Sequence, residues 1–198
     1  ARSTGDHSQS QQPGGTPDSA LARVDATTLL AALQLPSRGR VYDLGLELNE
    51  RMPHNPEFTR FAHLFTHTPE GTGAASPFQF SADTIIGALH VGTHMDALIH
   101  VQAEDRIFGG EPARDARTDR GWKRHGMETV PPIIGRGVVL DIAALHGVPR
   151  LEDRYEVTVA DVEACLERSG QGIRPGDIVV VRTGKIQDWS DPAAFQAA

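Results

Sequence analysis

A chain of 198 residues, 39% hydrophobic and 23% charged, is long enough to bury a core and fits one globular domain with a polar tail. Its net charge of −7 and 19 scattered basic residues lack the footprint of a phosphate-binding surface, and no apolar run nears the ~18 residues of a membrane span. Neither nucleic acid nor a membrane is expected as a partner, and the single cysteine, Cys165, leaves His and carboxylates as the only ligands for a metal.

Residues 1–20 are rich in Ser, Gln, Gly and Pro, with almost no large apolar side chain to offset the entropy of ordering, and are expected to be a disordered tail. Residues 21–198 are expected to form a single domain. The chain begins without Met and without the basic start and apolar core of a signal peptide, so a cytoplasmic location and a missing true N-terminus are expected. Asp25 then caps a short helix that Pro36 and Gly39 close, and alternation over residues 41–48 predicts a strand.

Residues 58–67 favour an extended segment with Phe61, His63, Phe65 and His67 on one face. In a helix His63 and His67 would be spaced to chelate a metal, but the neighbouring Thr and Phe residues argue for a strand. Gly71, Gly73 and Pro77 mark a loop before a second strand over 78–88. The charged stretch 104–120, broken by Gly109, Gly110 and Pro112, is expected to be an exposed loop or lid.

After Pro131 and Pro132, the apolar run 137–142 predicts a buried strand. Thr158 and Asp161 form a variant capping box for a helix running through Arg168, with Cys165 as an inert buried position and Gly170 as its stop. Residues 177–183 give the clearest buried strand. Asp141 and Asp177 flank strands and are expected to cap turns, while His7, His54, His125 and His146 are expected to face solvent. Strand, helix and strand in this order indicate an α/β domain with mixed sheets.

The chemistry concentrates in residues 90–100, His-Val-Gly-Thr-His-Met-Asp-Ala-Leu-Ile-His, where three imidazoles and a carboxylate fall within eleven residues. Imidazole nitrogen and carboxylate oxygen suit zinc, manganese or iron. His94 and Asp96 point the same way in an extended segment, and His90 joins them only if the chain bends at Gly92 and Thr93. Thr93 lacks an activating base and is better placed to hydrogen-bond backbone or a ligand carboxylate than to attack a substrate. Phe61 and Phe65 are candidate walls for a flat aromatic substrate.

This segment resembles the signature HxGTHxDxPxH of the cyclase family of metal-dependent hydrolases, which includes bacterial kynurenine formamidases and isatin hydrolases. The similarity runs from Tyr42, Asp43, Leu44, Met52 and Pro53, through residues 132–141, to Arg174, Pro175, Gly176 and Asp177. The resemblance implies an α/β fold of mixed sheets with flanking helices, of the swivelling β/β/α kind. It implies His90, His94 and Asp96 as ligands of a zinc or manganese ion, His100 as acid/base, and a homodimer or tetramer acting on a small molecule.

The implied reaction is hydrolysis of an amide C–N bond, in a cyclic amide or an N-formyl arylamine, by metal-activated water. Leu98 stands at the family's Pro position, which is more similar to the isatin hydrolases than to the formamidases. The family's remaining His and Glu ligands fall beyond Ala198, so truncation at the C-terminus is expected. Two other readings use the same residues. One is a non-haem iron oxygenase with His94, Asp96 and a distant His146 as a facial triad, and the other is a metal-stabilised binding protein without catalysis.

Overall fold

The computed structural model describes residues 19–72 and 77–196. Most of the expected tail and the loop positions 73–76 therefore lie outside the described residues. Ser19 and Ala20 depart from the tail reading: Ser19 is buried, and its hydroxyl accepts from the Leu21 N–H at 3.2 Å to open a 3-10 turn, Ala20–Arg23.

The elements in chain order are α1 (Ala26–Leu33), β1 (Ala62–His67), α2 (Pro69–Thr72), β2 (Ala82–Ile86) and α3 (Ala113–Ala116). They continue with β3 (Gly137–Asp141), α4 (Ile142–Leu145), α5 (Val159–Ser169), β4 (Ile178–Arg182) and α6 (Pro192–Gln196). β1 pairs antiparallel with β2, setting His63 opposite Ile85 and Phe65 opposite Asp83, and β3 pairs with β4. The fold is α/β, with small sheets and flanking helices. Among the described residues no helix is long and apolar enough to cross a membrane.

Contacts divide the chain into two units, each assembled from three stretches. The first comprises the described residues among 1–40, 96–138 and 172–180. Its α1 starts on a reciprocal capping box, in which Asp25 Oδ1 accepts from the Thr28 N–H at 2.8 Å and Thr28 Oγ1 accepts from the Asp25 N–H at 2.9 Å. The turn 174–177 comes so close to this region that a Cβ on Gly176, at φ +86°, would meet the Arg23 carbonyl oxygen at 2.7 Å. Ile99, Ile107 and Ala116 form a buried cluster with Ala97, Ala113 and Trp122 against it. The stretch 104–120 is largely exposed, as expected of a loop, but it is anchored at two points. Ile107 and Ala116 pin it down between its charged residues, and bridges such as Ala103 to Arg106 and Arg117 to Trp122 order its backbone.

The second unit comprises the described residues among 41–95, 139–171 and 181–198. Leu140, Ile142, Ala143, Leu151 and Cys165 are among its buried apolar side chains, and α4 packs on α5. The Thr158 hydroxyl accepts from the Asp161 N–H at 3.2 Å, Asp161 Oδ2 accepts from the Thr158 N–H at 2.8 Å, and Gly170 closes α5 at φ +62°. Asp141 caps α4 by accepting from the Ala144 N–H at 2.9 Å.

Three strand expectations change. Residues 41–48 alternate but pair with no strand, so their backbone is held in other ways. β2 starts at Ala82 rather than at position 78, because Pro69 follows soon after β1 and cannot donate to a longer ladder. β4 forms where its apolar run indicates, but Val179 and Val181 are 41% and 45% exposed, since a two-stranded sheet has no further layer to cover both faces.

Candidate metal centre

β2 leads directly into the histidine-rich segment. Past Ile86 the backbone bends at Gly87, the Ala88 N–H donates to the Thr59 carbonyl at 3.1 Å, and a run of bends covers residues 89–93. Gly92 lies in the left-handed region at φ +61°, which supplies the bend the spacing called for. A side chain there would also strike Leu48 Cδ2 at 2.7 Å.

The next turn is fixed from both sides. The His100 N–H donates to the Ala97 carbonyl at 2.9 Å, and the Ile99 N–H donates to the His125 carbonyl at 3.3 Å. Ile99 is buried in its apolar cluster while Asp96 and His100 stay exposed, so burial of one aliphatic side chain anchors two polar neighbours at the surface. His125 itself adopts φ +60° and sets its ring edge-on to Phe108 at 5.7 Å.

The result is a compact donor group: one ligand-type atom from each of His90, Asp96 and His100 lies within 4.8 Å of the other two. The group joins His90 and Asp96 with His100, the residue for which the family resemblance implies an acid/base role. His94, expected as a ligand, is not one of these three; its ring centroid lies 5.3 Å from that of His90, with the two rings nearly perpendicular. Its Nδ1 lies 3.1 Å from the Gly92 carbonyl oxygen. A carbonyl only accepts, so Nδ1 carries the proton and the lone pair resides on Nε2.

Thr93 plays the backbone-bonding part foreseen for it. Its hydroxyl accepts from the Leu46 N–H at 3.0 Å and donates to the Leu44 carbonyl at 3.2 Å, which makes it part of the scaffold rather than a nucleophile. Two nitrogens and an oxygen, partly open to solvent, fit a borderline divalent cation that keeps exchangeable positions.

The other candidates fall elsewhere. Phe65 is 66% exposed on β1 with its ring 5.5 Å from that of His63, and Phe61 packs its Cα close to Gly87. The aromatic ring that meets the histidine segment is Phe58, 6.4 Å from His90, a neighbour that local spacing did not single out. The strand geometry of β1 removes the His63 and His67 chelate: His63 Nε2 lies 2.6 Å from Asp83 Oδ2, and His67 stacks on Phe80 at 4.4 Å.

His146 is exposed, as expected, and its ring is also engaged. Its Nε2 lies 2.7 Å from Asp161 Oδ1 and 2.8 Å from the Tyr155 hydroxyl. Bonds from the Thr158 N–H and hydroxyl hold the Asp161 carboxyl well below the usual carboxylate range, against the opposing effect of burial.

Comparison with known proteins agrees with this architecture. No curated protein matches the chain. A solved structure described as a novel cyclase resembles it with a TM-score of 0.80 and 28% identity, over 89% of this chain and 61% of that one. The chain therefore spans about three fifths of that protein's length. A family model described as "Putative cyclase" matches residues 42–198, which takes in the whole histidine segment, and the chain belongs to this cyclase family.

Proposed function

We propose that this chain carries the metal site of a hydrolase that cleaves an amide C–N bond, in a cyclic amide or an N-formyl arylamine. The observation that carries the reading is the convergence of donor atoms from His90, Asp96 and His100 within 4.8 Å, beside a His94 ring whose tautomer leaves Nε2 as the basic nitrogen. On the family resemblance, His90, His94 and Asp96 would hold the ion, zinc or manganese by their donor chemistry. A bound divalent ion supplies Lewis acidity, which lowers the pKa of water to about 7 and polarises a carbonyl.

The chain's own residues do the rest. His100, exposed and next to the other donors, takes a proton from the attacking water and returns it to the nitrogen as the C–N bond breaks. Imidazole suits both halves of that transfer because it exchanges protons near neutral pH. Gly92, through its carbonyl, fixes the orientation of His94, and Ile99 anchors the Asp96 to His100 turn. Phe58, against His90, is the aromatic surface available to a flat substrate. The reading includes a small-molecule substrate and an assembly of two or four copies.

The oxygenase alternative needs His146 as third ligand, but that residue's Nε2 is engaged with Asp161 and Tyr155. The deciding experiment combines metal analysis with a hydrolysis screen of N-formylkynurenine, isatin and related cyclic amides, on wild type and His94→Ala. Stoichiometric metal and turnover in the wild type, both lost in the variant, are expected. Tight metal binding without cleavage of any amide or lactone would point instead to a binding protein.

A further inference from the structure

We infer that Thr93 is a positioning residue that couples the metal loop to the extended segment 44–48, so that loading the site with a cation orders that segment. The inference rests on the metal-site reading above and concerns what supports the site. Residues 41–48 have the alternation of a strand yet pair with no strand, and Tyr42 and Leu44 are both 74% exposed. What meets this segment is the histidine loop.

The Leu46 N–H donates to Thr93 Oγ1 at 3.0 Å, and the same hydroxyl donates to the Leu44 carbonyl at 3.2 Å. A single side chain thus satisfies one donor and one acceptor that a neighbouring strand would otherwise take. One residue earlier, Gly92 leaves just enough room for Leu48, whose Cδ2 would lie 2.7 Å from any added Cβ. Two adjacent loop residues therefore grip the segment, one by hydrogen bonds and one by close packing.

Both gripping residues lie between ligand candidates. Gly92 and Thr93 separate His90 from His94, and the Gly92 carbonyl orients the His94 ring. A cation held by His90 and Asp96, whose donor atoms converge, brackets the peptide units of Gly92 and Thr93 and so constrains the Thr93 hydroxyl. Binding and segment order then share one free energy, and each favours the other. Partners that orient a ligand from outside the metal shell characteristically contribute 10- to 100-fold in metal affinity.

The test uses the full chain. Zinc affinity is measured by chelator competition for wild type, Thr93→Val and Thr93→Ser, and exchange of the Leu46 amide is followed by NMR with and without zinc. The expected result is about tenfold weaker zinc binding by Thr93→Val, near-normal binding by Thr93→Ser, and slower Leu46 exchange on zinc loading in the wild type. Equal affinities for wild type and Thr93→Val, or equal losses in both variants, would overturn the inference.

If Thr93→Val fails to fold by circular dichroism, the wild-type Leu46 amide decides alone: exchange unchanged by zinc overturns the coupling, and slowed exchange supports it. A wild type that binds no divalent ion removes the metal-site reading itself and this inference with it. That outcome is distinct from a metal-binding wild type that is indifferent to Thr93.

Discussion

The ring of His94 is turned by the carbonyl of Gly92, with Nδ1 and the oxygen 3.1 Å apart across two residues of chain. The same glycine that bends the backbone therefore also sets which nitrogen of the next histidine can bind a cation. Steric freedom at position 92 and ligand chemistry at position 94 are one local arrangement.

Replacing Gly92 with Ala should disturb both. At φ +61° a Cβ costs about 1–2 kcal/mol of backbone strain, and here it would also displace Leu48. Gly92→Ala is expected to lower the urea midpoint and to weaken zinc binding about tenfold in chelator competition, the size typical of lost ligand orientation. Unchanged values for both would mean that the bend is not needed to form the site.

How far the sequence revealed this arrangement depends on whether the signal was local. The helix α5 was fully legible, since Thr158, Asp161 and Gly170 each fulfil the capping role that their spacing indicates. The bend at Gly92 was legible for the same reason. Burial was not: the Ile-Val-Val-Val run of β4 marks a strand, but nothing in it tells that its sheet has two strands among the described residues. Nor does anything in the sequence signal that the rings of Phe58 and His90, 32 residues apart, come near each other.

The buried end of β3 and the start of α4 give a test of the second unit's core. Ile142 has no solvent exposure and Leu140 has 1%. Truncating Ile142 to Ala removes apolar contacts and leaves a cavity that close packing cannot fill, at a cost of about 2–5 kcal/mol. Ile142→Val, which keeps most of the volume, should cost about 0.5–1.5 kcal/mol in the same urea titration. Similar losses for the two would show that shape rather than burial governs this position.

The cap of α5 makes a smaller and separable contribution. Thr158→Ala removes the hydroxyl that accepts from the Asp161 N–H and donates to Asp161 Oδ2. The expected loss is about 1 kcal/mol, recovered largely by Thr158→Ser, which keeps the oxygen. Circular dichroism at 222 nm during urea unfolding measures both; a Ser variant no better than Ala would assign the effect to the lost methyl group.

Asp177 should contribute to acid sensitivity alongside Asp161, whose carboxyl is also held low. Arg136 grips this carboxylate with two hydrogen bonds, Nε to Oδ1 at 2.9 Å and a terminal nitrogen to Oδ2 at 2.5 Å, and the Arg174 N–H adds a third at 2.6 Å. The Arg136 guanidinium foremost, with the Arg174 N–H, holds the Asp177 carboxyl below its ordinary value against the effect of burial. A carboxyl depressed on folding stabilises the native state while the unfolded chain is ionised. That contribution is whole above about pH 5 and is lost as pH falls below the ordinary aspartate value near 3.9, toward the lower folded one. Asp177→Asn cannot lose what it lacks. Its urea midpoint should lie below that of the wild type at pH 7, and the gap should narrow as pH drops from 5 to 2.5, because only the wild type gives up this interaction. A gap that stays constant across the acid range would show that the fork from Arg136 adds nothing to folding beyond what an uncharged amide provides.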